Sequence, residues 1–240
     1  MSKVFIKIYC LFLFVFLSFP LLSQDTEDYE YTREFIWGIN KNTNGGLIGG
    51  IVFKYSQALK PTLFQSYGIE LVNVKHPKEV RRHTYNGNSY IYAKENYLYS
   101  VRLQYGREKI LFKKAPQQGV QVTGILAAGP TIGVVAPYYI QVYVDNFTTI
   151  TVPNKPNQNQ GDIAGTGGIF QGIEDSKIKL GANIKASVSF EFGTFKNSVT
   201  GFEAGFLLEA FPEEIMIIPG AKNNKIFTSA FLTILFGTRR

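Results

Sequence analysis

The chain has one cysteine and two histidines in 240 residues. Cys10 lies in the N-terminal apolar run and lacks the small-residue approach of a lipoprotein acylation site, so no acyl anchor is expected there. Once that run is removed the chain has no disulfide, and an exported protein of this size must be held by strand pairing and apolar burial. His76 and His83 leave little metal-ligand chemistry. The glycine-rich run 161–172 has no Lys-Ser/Thr ending of a phosphate loop, and Asp145, Asp162, Glu174 and Asp175 do not have calcium-loop spacing. Neither a metal nor another cofactor is expected. After the N-terminal run no segment approaches the length of a transmembrane helix. Lys and Arg are dispersed, which gives nucleic acid no footprint.

Lys3 and Lys7 precede an apolar run from Ile8 to Leu17, followed by Ser18, Pro20 and the small Ser23, the order of a secretory signal. Residues 1–23 are read as a signal peptide cleaved near Ser23, although Leu21 is larger than the residue usual at that place. Residues 24–240 form one domain. Losing Lys3 and Lys7 takes the net charge from +7 to +5, a mild basic excess suited to anionic lipid.

Aromatic residues are abundant, with 14 Tyr and 20 Phe, and they fall on alternating positions. From Leu180 to Phe192 every second residue is apolar, while Gly181, Asn183, Lys185, Ser187, Ser189 and Glu191 occupy the other face. A period of two over that length predicts a strand with one greasy and one wet face. The same pattern runs through Phe202–Ala210, with Leu207 an exception, and through Tyr97–Tyr105, Phe35–Ile39, Ile51–Tyr55 and Tyr67–Leu71. Weaker versions span Val120–Val134 and Phe227–Gly237. Turn residues separate the runs, among them Asn42–Gly46, Lys60-Pro61-Thr62 and Asn86-Gly87.

Eight strands result, near 31–41, 46–57, 64–75, 90–106, 119–143, 178–193, 198–211 and 226–237, the fifth liable to break at Pro137. They predict an all-β fold, an eight-stranded antiparallel up-and-down transmembrane β-barrel. A soluble β-sandwich also alternates, but strands of about 11 to 17 residues exceed its usual length, and mid-strand charges oppose an aromatic-rich face. With both termini on the periplasmic side, 76–89, 144–177 and 212–225 become outer loops. Connection 107–118 is then an inner turn of unexpected length, and 42–45 a short outer loop.

The wet face places Glu34, Lys54, Glu70, Arg102, Lys185, Glu191, Glu203 and Glu209 in the lumen, as a charge network that fills a narrow barrel. A proton or ion path through the carboxylates is the competing reading. His76 and His83 fall in the first long outer loop without a nucleophile motif, so no enzymatic activity is expected and they read as ordinary loop residues in a solvated basic stretch. In that loop Lys78, Arg81 and Arg82 are candidates for contact with lipid phosphate.

Four runs carry a family likeness: Asn96–Gly106, Pro137-Tyr138-Tyr139, Phe190–Phe195 and the ending Phe231–Arg240. Through them the chain resembles the outer-membrane β-barrel proteins common in Bacteroidota. The ending departs from the usual terminal aromatic, since Gly-Thr-Arg-Arg follows Phe236. The resemblance implies an envelope location and a barrel shape, with no assigned reaction. The expected role is structural or interactive, with outer-membrane lipid and envelope proteins as partners. The alternatives are an accessory subunit of an export or assembly complex, a lipid A-modifying enzyme and a small pore.

Overall fold

A computed structural model of the chain describes residues 31–46, 49–114, 119–145, 148–155, 159–168, 171–192 and 197–240. The leader segment 1–23 and its cleavage point lie outside the described residues.

Eight long strands form a closed antiparallel barrel: β1 (Arg33–Asn42), β2 (Gly50–Lys60), β3 (Leu63–Val74), β6 (Asn96–Phe112), β7 (Gln121–Pro137), β11 (Lys177–Phe192), β12 (Ser198–Ile215) and β13 (Asn224–Arg239). Each pairs with the next barrel strand in the chain, and β1 closes the ring on β13 from Glu34↔Arg239 to Asn42↔Phe231. Closure leaves no barrel edge unpaired, as a backbone in hydrocarbon requires. Five short strands stand at the end of the long connections. β4 (Arg81–His83) and β5 (Ser89–Ile91) form a hairpin, while β8 (Tyr139–Tyr143), β9 (Thr149–Pro153) and β10 (Ile163–Thr166) form a three-stranded sheet in the order β10-β8-β9.

The alternation seen in the sequence becomes an inverted distribution of polarity. Along β1 the burial pattern is strictly alternate, with Glu34, Asn40 and Asn42 buried and Phe35, Trp37 and Ile39 exposed. β11 buries Asn183, Lys185, Ser187 and Glu191 while Ile178, Leu180 and Ile184 face out. A protein in water does the reverse, so the outward belt of Phe, Tyr, Leu and Ile is solvated by lipid. This is a transmembrane β-barrel. Leu207, the exception to alternation, is buried inside the barrel.

Several strand boundaries differ from the sequence reading. β2 runs Gly50–Lys60 rather than 46–57, which lengthens the expected 42–45 loop to 43–49, and three other differences are larger. β6 starts at Asn96 and continues to Phe112, so the expected 107–118 turn shrinks to 113–120. β12 continues to Ile215, past a register shift after Ala210 that accommodates Pro212, which has no N–H to give the ladder. The run after Pro137 leaves the barrel as β8. The outer connections are accordingly larger than 76–89 and 144–177, spanning 75–95 and 138–176.

The outer end of the lumen is apolar. Val72, Val74, Leu98, Phe211 and Phe227 point inward there, and Ile215, Ile217 and Ile218 fold in from the β12–β13 connection to complete a buried cluster. The Phe211 ring needs two glycines opposite it. A Cβ at Gly133 or at Gly181 would lie 2.8 Å from its ring atoms, so the missing side chains make the space it fills.

Candidate functional site

The barrel interior holds two layers of ions beneath the apolar plug. In the central layer Glu70 accepts from Lys185 Nζ at 2.9 Å and from Arg102 Nη1 at 3.5 Å. Arg102 also forks onto Glu209, with Nε at 3.2 Å and Nη2 at 2.9 Å, the two-pronged geometry guanidinium favours. Lys185 reaches Glu203 at 3.3 Å, and Ser187 donates to the same carboxylate at 2.7 Å. In the inner layer Lys54 pairs with Glu108 at 2.9 Å. Arg239 sits between Glu34, at 2.8 Å, and Glu191, and Lys114 approaches Glu191 at 2.5 Å.

Glu34, Lys54, Glu70, Arg102, Lys185, Glu191, Glu203 and Glu209 thus all lie in the lumen and all are buried. Three members of the network were not among the sequence candidates: Glu108, Lys114 and Arg239. They matter for balance, because five carboxylates facing only Lys54, Arg102 and Lys185 would leave buried negative charge uncompensated. With Glu108, Lys114 and Arg239 added, six carboxylates meet five cations. Continuing the alternation of β6 through 106 to 108, and that of β13 through 237 to 239, was the signal that would have found Glu108 and Arg239.

The inner mouth is closed by Tyr31. Its ring stacks on Phe64 at 4.9 Å, lies 4.1 Å below the Arg239 guanidinium, and its hydroxyl accepts from Gln121 Nε2 at 3.2 Å. Beside it lies a cavity of about 20 Å³, room for about one water. An ion crossing the barrel would have to part the Tyr31 stack, both ion layers and the apolar plug.

The outer connections pack together into a cap. β5 and β8 contribute Tyr90, Ile140 and Val142 to a second apolar cluster, joined by Tyr138 just before β8 and by Ile163 of β10. Asn86 and Asn88 in the β4–β5 tip donate to the Ala164 carbonyl at 3.2 and 3.1 Å, which ties the hairpin to the sheet. Glu95 N–H donates to Ile217 O at 2.9 Å and links the first long connection to the last.

His76 is buried in this cap, not solvated, which corrects the reading of 75–83 as a uniformly hydrated stretch. Its Nδ1 accepts from Lys78 N–H at 3.1 Å, and its Nε2 lies 3.1 Å from the Lys222 carbonyl. A carbonyl can only accept, so Nε2 carries the proton and joins two connections, while Nδ1 is taken up within its own. Lys94 is fully buried nearby, paired with Glu79 at 2.5 Å and lying over the Tyr97 ring at 4.4 Å. Burial pushes its amine below the ordinary lysine value, and the Glu79 carboxylate opposes that shift. Substituting Glu79→Gln removes the counter-charge of a buried ammonium. Faster proteolytic cutting within 75–95 is expected, with the barrel's heat-modifiable gel migration unchanged.

Lys78, Arg81 and Arg82 remain exposed. Arg81 and Arg82 are consecutive in β4 and point to opposite faces of the hairpin, and Arg82 lies 3.9 Å over the Tyr92 ring. His83 is also exposed. At the far tip Tyr85 is fully exposed, and Tyr143, held by a 2.9 Å bond from Asn86, and Val144 add apolar surface.

No family model matches the chain, and no curated protein matches it. Among solved structures, it is similar to Ail, the attachment invasion locus protein of Yersinia pestis, seen in complex with the heparin analogue sucrose octasulfate. That alignment covers 88% of this chain and 99% of Ail at 10% identity, with a TM-score of 0.40. Neisserial surface protein A aligns over 87% of this chain and 94% of its own at 12% identity, with a TM-score of 0.33.

Proposed function

We propose that this chain is a non-conducting outer-membrane barrel whose work is done by its outer cap, a stitched platform that presents apolar and basic surface to partners at the cell envelope. The observation that carries this reading is the filled lumen. Paired ions and packed side chains occupy the interior from Tyr31 to Ile217, so the surface open to partners lies in the long outer connections.

The leader, read as cleaved near Ser23, and the short connections at the end bearing the termini support insertion with the cap outside the cell. Four runs of sequence support a place among the envelope barrels of Bacteroidota. Lys78, Arg81 and Arg82 are available to phosphates of surface lipid, and exposed Tyr85, Tyr143 and Val144 favour a protein partner, as in an accessory subunit of an envelope complex. Both ring nitrogens of His76 are already hydrogen-bonded, so this side chain does not suit the role of base in a lipid A-modifying site.

Cell fractionation tests the location: recovery in outer membranes with heat-modifiable migration is expected, and a soluble periplasmic protein refutes it. Planar-bilayer recording tests the closed lumen. No stable single-channel steps are expected from the purified protein, whereas reproducible unitary conductance would make it a pore.

A further inference from the structure

The lipid-facing wall is not uniform. Around most of the belt, rings shelter one another, as Trp37 does Phe236 at 5.1 Å and Tyr67 does Tyr105 at 5.3 Å. On β7, β11 and β12 the outward residues Gly124, Ala186 and Ala204 leave a floor without bulk. Leu126 and Phe206 stand over it as walls, 59% and 74% exposed, and Phe206 makes no ring contact among the described residues. A groove of about 630 Å³ results, and a second of about 540 Å³ continues it toward the outer end, sharing Leu126, Ala186 and Phe206.

The inner end of the groove is lined by Arg107 and Lys109, whose register partners on β7 are Leu126 and Gly124. These cations face outward, away from the lumen network. Arg107 has a 3.5 Å contact with half-buried Gln65 and lies 5.4 Å from the Tyr105 ring; Lys109 has no ion pair among the described residues. No outward position of β6, β7 or β11 carries a carboxylate. A lipid-facing wall thus offers two uncompensated cations near its periplasmic boundary, at the foot of an apolar groove. Such side chains lay their stems along the apolar surface and hold the charge at headgroup depth.

We infer that this wall binds an anionic phospholipid of the inner leaflet, one acyl chain lying along the groove past Phe206 and the headgroup phosphate between Arg107 and Lys109. The inference rests on the outer-membrane reading above. Charge complementarity selects this occupant over a second copy of the chain, since apposing two such walls would bring Arg107 and Lys109 against like charge.

Native mass spectrometry of the protein in mild detergent, offered equal phosphatidylglycerol and phosphatidylcholine of identical chains, tests it. The wild type is expected to retain phosphatidylglycerol at least tenfold over phosphatidylcholine. R107Q/K109Q should abolish the preference, and Ala186→Leu, which fills the floor from the lipid side, should weaken retention of both lipids. Equal retention by the wild type, or a preference unchanged in R107Q/K109Q, overturns the inference, as does a dimer mass lost in Ala186→Leu. Heat-modifiable migration of every variant shows that the barrel is folded. Recovery of the protein as a soluble species would instead sink the membrane reading and the inference with it.

Discussion

Replacing Arg102 by methionine is expected to lower the unfolding stability of the barrel by about 3–5 kcal/mol, the cost of leaving a buried charge without its partner. Glu209 is fully buried and Arg102 is its ion-pair partner, bound through two nitrogens. Glu70 keeps Lys185, so the loss falls mainly on Glu209. The double variant R102M/E209Q should recover part of the deficit, because a neutral amide is far less costly to bury than a carboxylate. Urea unfolding in lipid vesicles, followed through Trp37, the only tryptophan, measures both. The exposed Lys179–Glu213 pair is the control, and E213Q should leave the midpoint where it was. If R102M unfolds at the wild-type midpoint, the central layer does not hold the barrel.

Phe211→Ala is expected to cost about 3–5 kcal/mol, the range for deleting a buried ring. The Phe211 ring is 4% exposed, meets Phe227 edge-on at 6.1 Å, and fills the space made by Gly133 and Gly181. With glycines opposite there is no Cβ to close the gap, which favours the upper part of that range. The same variant tests the closed lumen. Conductance should stay absent in F211A, since the Arg102–Glu70–Lys185 layer lies beneath the plug and is untouched. Channel steps in F211A but not in the wild type would mean that the plug alone seals the barrel.

The two regions differ in how they could be read in advance. Leu180–Phe192 announces its wet and greasy faces because each residue's environment, lipid or lumen, is set by its own parity. At Arg107–Ile110 the same parity holds but the usual chemistry is mixed: the cations Arg107 and Lys109 face outward while Ile110 points into the lumen beside Glu108, so a strand looks like a polar turn. Arg239 was missed for a related reason. It stands at the end of the chain, where two arginines look like a solvated tail, and its partners Glu34 and Glu191 are 205 and 48 residues away.

The sequence by itself determined the class of the protein: the number of long strands, and which face of most of them meets lipid, follow from period-two alternation, a local property of the backbone. Only the tertiary structure decided how the interior charges pair, that Phe211 and its neighbours plug the outer end, and that His76 and Lys94 are buried in a cap. Those features depend on residues brought together from strands and loops far apart in the chain, and alternation has no information about which distant side chain will stand opposite.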